Sequence, residues 1–336
     1  MTAPLEIDPS ATTADPEAVL VGTKSTNIEG RSLGQIALMR LRRDRVAKGS
    51  GVVIVLLLLI AVFSPLLVKL LGHPPNEFHQ NLIDPALSTP KGKFGGINRH
   101  YLLGADPVFG RDVFSRIITG ARISLLVALL STTVAVVMGT VLGITAGYFG
   151  GWVDATIGRL MDLILAFPQL LFAIAIGTIL LQKDSVFGLH GDQLSIGLLV
   201  IVIGFFGWPY IGRIIRGQTI SLREREFVDA ARSVGASNSH IIFKELLPNL
   251  VAPVLIYATL LIPTNILFEA ALSFLGVGVR QPTPTWGAML SDAVSTYQID
   301  PTYMVVPGLA LFITVLAFNL LGDSLRDALD PRAGRG

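Results

Sequence analysis

Side chains able to do chemistry are scarce in this chain and stand in a few places. "GADPVFGRDVFSR", from Gly104 to Arg116, gathers Asp106, Arg111, Asp112 and Arg116 among turn formers. Such a run can brace a loop with paired charges or offer a docking surface; direct contact with a polar substrate is the other reading. Glu269 stands alone in an apolar run, where an ionisable group is by default a functional candidate, although a backbone group or a water could satisfy it equally well. Neither place holds the makings of covalent catalysis. The chain has no cysteine, which excludes disulfides, thiolate metal sites and thiol nucleophiles. His73, His79, His100, His190 and His240 lack zinc-ligand spacing. No G-x-x-x-x-G-K-[ST] phosphate loop occurs, so the chain is not expected to bind ATP. No cofactor, metal or enzyme activity is expected on it.

The elements that must position these groups are membrane spans. Hydrophobic residues make up 51% of the 336 and charged ones only 15%, against about 25% charged in soluble domains. The deficit falls in blocks. Six stretches reach the length of about 20 apolar residues that crosses a bilayer: 51–71, 123–148, 157–181, 194–214, 250–276 and 303–322. The expected fold class is therefore an all-α integral membrane protein with six transmembrane helices. Arg159 and Asp162 intrude on the third span and are tolerable there if they pair with each other or lie at the interface. Pro168, Pro209, Pro263 and Pro307 interrupt spans and read as ordinary kinks rather than hinges. Trp286, in the Pro-rich loop after the fifth span, could anchor at the interface.

Lysine and arginine orient the spans. "MRLRRDRVAK" precedes the first; Arg213, Arg216, Arg223, Arg225, Arg232 and Lys244 follow the fourth; "RDALDPRAGR" follows the sixth. The loops after the third and fifth spans carry one basic residue each, Lys183 and Arg280. Both termini are thus expected inside. The chain divides into a disordered tail at 1–35, poor in apolar residues, a basic juxtamembrane segment at 36–50, an external loop at 72–121, a core at 122–323 and a tail at 324–336. The net charge of +2 gives no reason to expect nucleic acid.

The longest internal loop, 215–249, contains "DAARSVGASNSHIIFKELLP". Its first half is expected to be a short helix with Phe227, Val228 and Val234 as apolar anchors, helix-forming Ala230 and Ala231, and Gly235 as its left-handed stop. A second short helix, capped by Ser237 or Asn238, is expected to end at Pro248. Small side chains let another surface approach the backbone closely, and Asp229 can meet a basic partner. The pair is shaped to enter a cleft; an amphipathic helix lying on lipid is the alternative.

Asp-Ala-Ala, three residues, Gly, and a closing Pro resemble the EAA loop of bacterial ABC importer permeases. Asp229 stands for the usual Glu, and Glu245 where many members have Ile. Further stretches look like signatures of the dipeptide/oligopeptide permease subfamily in matching order: "LLGADPVFGRDVFSRIITGARISL", "AGYFGGWVDATIGRLMDLILAFPQLLFAI", "EAALSFLGVGVRQPTPTWGAML" and "NLLGDSLRDALDPR". They reach from about residue 35 to 332, in the arrangement of the C-type subunit. The resemblance implies the type I importer permease fold with cytoplasmic coupling helices. ATPase-coupling residues would be Glu226, Asp229, Ala230, Ala231, Gly235, Ala236 and Pro248. Implied partners are a homologous second permease subunit, two cytoplasmic ABC ATPase subunits that carry ATP and Mg, an external solute-binding protein and membrane lipid, at the cytoplasmic (inner) membrane. Di- and oligopeptides are the expected cargo, with nickel complexes as the alternative. Gly139, Gly143 and Gly147, four apart, form a ridge for close helix packing that could meet the second permease. An ion-coupled secondary transporter would instead need charge deep in the spans and matching inverted halves, and the spans are almost free of such charge. A non-transporting scaffold is a further rival.

Overall fold

The computed structural model describes residues 33–329 except 181, 184 and 187. The tail expected to be disordered lies outside the described residues up to position 32, and so does the basic end of the chain beyond 329. Among the described residues there are twelve α-helices: α1 Leu33–Arg43, α2 Arg45–Val62, α3 Ser64–Leu71, α4 Val113–Phe149, α5 Gly151–Ala166, α6 Gln169–Leu180, α7 Gly191–Arg223, α8 Glu226–Ser233, α9 Asn238–His240, α10 Leu247–Phe274, α11 Trp286–Ala293 and α12 Thr302–Leu329. A two-residue ladder pairs Ser185 with His190 and Val186 with Leu189.

Among the described residues, five stretches are long and apolar enough to cross a membrane, and the bent pair α5/α6, taken as one span, is a sixth. The third span is broken at Pro168 more sharply than the ordinary kink expected. Its halves meet at 78°, because Pro168 has no N–H to give and biases Phe167 to an extended backbone (ψ 134°). The first span likewise divides at Phe63, with Pro65 in the first turn of α3. Pro209, Pro263 and Pro307 stay inside continuous helices. Asp162 pairs with Arg213 of α7, not with Arg159, and Asp154 pairs with Arg216. Asp162, one of the two charges that intrude on the third span, therefore joins it to the fourth, as Asp154 also does.

The core is a parallel pair, α4 against α7. A β-carbon on Gly139, Gly143 or Gly147 would lie 2.7–2.8 Å from a backbone oxygen of α7, at Trp208, Gly212 and Arg216 respectively. Gly204 of α7 is equally tight against Val134. The glycine ridge thus serves contact within this chain rather than with a second one, and it sets how closely the two backbones approach. Gly143→Val is expected to cost about 1–3 kcal/mol, the usual penalty of overpacking, read as a lower melting temperature of the purified protein. Val127, Ile203 and Trp208 fill the seam beside it, while Ile266, Leu311 and Phe318 form a second cluster among α4, α10 and α12. Inside the bundle, the Asn265 amide donates to Thr132 Oγ1 at 2.8 Å, a polar tie between α10 and α4. Trp286 does not anchor at an interface. It is buried against Gly120, and its indole N–H donates to the Ile117 carbonyl at 3.1 Å.

Candidate coupling face and outer brace

The segment expected to be a loop from 215 to 249 is shorter than the sequence suggests. α7 continues to Arg223 because Ile215 and Thr219 are still buried against the end of α4. At the far side, α9 runs through a widened π-type stretch, Ile241–Leu246, into α10, and 238–274 forms one long helix. Pro248 closes no second short helix; it is exposed in the first turn of α10. The widened turn before it relieves the clash between a proline ring and the carbonyl four residues back.

What projects is α8. Gly235, at φ +79°, stops it: Ala236 N–H donates to the Ala231 carbonyl and Gly235 N–H to that of Arg232, both at 3.0 Å, the paired bonds of a glycine-terminated helix. Ser237 caps the next helix by accepting from His240 N–H. Of the three apolar anchors expected, Val228 alone is buried, among Ile144, Tyr148, Ile241 and Leu246. Val234 is 84% exposed. An eight-residue helix has room for one fully inward anchor, and Val234 follows its last turn. Ala231 and Ala236 turn partly inward, whereas Glu226, Asp229, Ala230 and Gly235 face out. Phe243, 64% exposed, adds an aromatic surface that sequence reasoning missed; read as part of a regular amphipathic helix, its position carried no signal. Asp229 is paired within the helix to Arg232 at 3.1 Å. Both side chains are well exposed, so the pair contributes about 0–1 kcal/mol and exchanges readily for another partner.

Two contacts fasten α8 and its flanks to the bundle. Arg223 donates to the carbonyls of Gly147 (3.0 Å) and Tyr148 (3.3 Å), satisfying acceptors left open at the end of α4. The Tyr148 hydroxyl donates to Asn238 Oδ1 at 2.9 Å. α8 therefore rests on the same ends of α4 and α7 that the glycine ridge holds together.

At the opposite end the four charges of "GADPVFGRDVFSR" are all buried. Asp106 accepts from Arg111 Nε at 2.5 Å and from its backbone N–H at 2.7 Å. Arg111 also reaches Asp292 of α11 at 3.4 Å and lies over the Phe109 ring. Arg116 donates to the carbonyls of Pro75 (3.2 Å) and Pro282 (3.4 Å), with Asp106 3.9 Å away. Burial pushes the Asp106 carboxyl above the ordinary aspartate range, and the two guanidiniums pull it back. Asp112 belongs to a different arrangement. It caps α4, accepting from Phe114 and Ser115, and holds the His73 N–H at 3.1 Å, tying the end of α3 to the start of α4. Glu269 is fully buried in α10, where the Ser273 hydroxyl donates to it at 2.7 Å. It lies in the packed interior and does not meet the four outer charges.

Residues 139–335 match the family model described as "Binding-protein-dependent transport system inner membrane component", and residues 32–90 match "N-terminal TM domain of oligopeptide transport permease C". The brace at 104–116 falls between the two ranges. The dipeptide transport system permease protein DppC of Alkalihalophilus pseudofirmus is 41% identical over 296 residues, covering 88% of this chain and 89% of that protein. The glutathione transport system permease protein GsiD of Pectobacterium atrosepticum is 38% identical over 293 residues, 87% of this chain and 89% of its own length. A solved inward-facing MetNI methionine ABC transporter chain aligns with a TM-score of 0.49 at 20% identity, over 64% of this chain and 96% of that one.

Proposed function

The chain belongs to the family of binding-protein-dependent transport system inner membrane components, and from that premise we propose that it is the C-type permease subunit of an ATP-driven importer of di- or oligopeptides. Support for peptide cargo comes from the relatives, one a dipeptide permease and another a permease for glutathione, itself a short peptide. The subunit works beside a homologous permease. A solute-binding protein delivers cargo from outside, and two ATPases below hydrolyse ATP. Both termini and α8 lie on the cytoplasmic side, in keeping with the arginines at 40, 42, 43, 213, 216 and 223.

The observation that carries the coupling role is α8 itself, pinned inward by Val228 and open outward at Asp229 and Ala230. The ATPase grips that outward face, with Glu226 and Gly235 at its margins and Ala231 and Ala236 supporting it from within. When the ATPases close on ATP, α8 moves with them. The close α4/α7 pair moves as one body because its backbones are in contact along the glycine ridge, and the bundle passes between two packings rather than deforming continuously. The outer brace holds the loop ends on the opposite face while this happens.

The test is uptake in proteoliposomes holding the complete transporter, with labelled peptides of graded length and nickel complexes supplied with the solute-binding protein. ATP-dependent accumulation of short peptides is the expected result. Accumulation of nickel complexes alone would replace the cargo, and uptake driven by an ion gradient without ATP would overturn the reading.

A further inference from the structure

Arg122 occupies an unusual position. No charged residue occurs from Ile123 to Val153, so Arg122 is the last charge before the apolar run of α4. Its side chain is exposed, and among the described residues no carboxylate, hydroxyl or carbonyl pairs with it. It stands at a groove of about 370 Å³ between α2 and α4, lined otherwise by apolar side chains that include Leu58, Val62, Leu126 and Leu130. Leu58 and Val62 lie within the charge-free stretch Gly49–Val68, so the groove belongs to the bilayer and not to the loops. Val62 is 69% exposed and Leu130 46%, leaving it open to the lipid side.

An unpaired guanidinium facing hydrocarbon is expensive, about 2.5–3.5 kcal/mol at the bilayer centre by insertion scales. The cost falls when the side chain reaches an anion at the interface. We propose that Arg122 and the α2/α4 groove form a binding site for one anionic phospholipid, its phosphate on the guanidinium and an acyl chain along Leu58, Val62, Leu126 and Leu130. Charge and shape both select this occupant. A guanidinium fork matches two phosphate oxygens, and the surface that continues from it is apolar, as a free phosphate ion would not need. A neighbouring groove of about 340 Å³, between α2 and α12, has similar apolar walls lined by Val53, Ile313 and Leu320 but no charged residue. It offers no headgroup partner and serves as an internal contrast. The site concerns lipid alone and does not depend on the transport reading.

The complete transporter, delipidated in mild detergent and titrated with phosphatidylglycerol, tests this by native mass spectrometry. The unaltered protein is expected to keep one more phosphatidylglycerol than Arg122→Gln, whose affinity should fall about tenfold with loss of the charge-assisted bonds. Arg122→Lys should recover part of it, and Val62→Trp, which fills the exposed side of the groove, should lose it with the arginine intact. Diacylglycerol, lacking the phosphate, should not be retained at the site, and inorganic phosphate should not displace the lipid. Equal retention in Arg122→Gln would overturn the proposal. So would displacement by inorganic phosphate, which would point to a free anion, or loss of subunit association in Arg122→Gln with lipid retention unchanged, which would make the groove a protein contact.

Discussion

Ala230→Trp is expected to abolish ATP-driven uptake while the protein still inserts and folds. Ala230 is exposed on α8 beside Asp229, and its side chain takes no part in the cluster that seats the helix through Val228. A bulky group there meets no part of this chain, but it would stand in the middle of the surface an ATPase must approach. Disturbing the centre of a close-packed interface costs about 2 kcal/mol or more, roughly thirtyfold in affinity. Transport-coupled ATP hydrolysis in the assembled transporter should fall with it. The same change at Ala231 would be less informative, because Ala231 packs partly against the chain's own core and a loss of uptake could reflect damage to the fold. Uptake and hydrolysis measured together on Ala230→Trp, with size-exclusion chromatography to check assembly, separate a coupling defect from a folding one. Unchanged uptake would mean that α8 is not gripped on this face.

The second large effect is expected at the outer brace. Arg111→Ala keeps the backbone N–H bond to Asp106 but removes the 2.5 Å guanidinium bond, leaving the distant Arg116, 3.9 Å away, as the one cation beside the buried carboxylate. Removing one partner of a buried ion pair costs about 3–5 kcal/mol, since the remaining charge stays desolvated. The melting temperature should fall steeply. Arg111→Ala combined with Asp106→Asn should recover much of the loss, because the orphaned charge is then gone. Recovery marks the pair as a structural brace. If Arg111→Ala melts like the unaltered protein and only peptide uptake falls, the pair serves cargo instead.

Much of this was readable from residue types. The spans announce themselves by composition, and the glycine stop of α8 is visible because a left-handed residue is needed after Arg232 to Val234. The four outer charges were visible as a group. Their division was not: Asp112 caps α4 while Asp106 takes both arginines, a choice that depends on where Pro75, Pro282 and Asp292 come to lie in space. The ends of the coupling segment were misread for a related reason. Charge density marks where a helix leaves the bilayer, not where it stops. α7 persists to Arg223 because α4 still offers it a surface to pack on, and Pro248 is absorbed by a widened turn. The partner of the glycine ridge was also beyond sequence reasoning, since a ridge of small residues fits any close neighbour and α7 proves to be it.

The chain contains no cysteine, so Ala230→Cys gives the exposed face of α8 a single reactive thiol on this subunit. Labelling that thiol with a water-soluble maleimide, in the assembled transporter with and without ATP, tests the gripping of α8 most directly. Strong protection when the ATPases are bound, changing with nucleotide, together with a cross-link from position 230 to an ATPase, is the expected result. Equal labelling with and without the ATPases, or reaction only with lipid-soluble reagents, would contradict it.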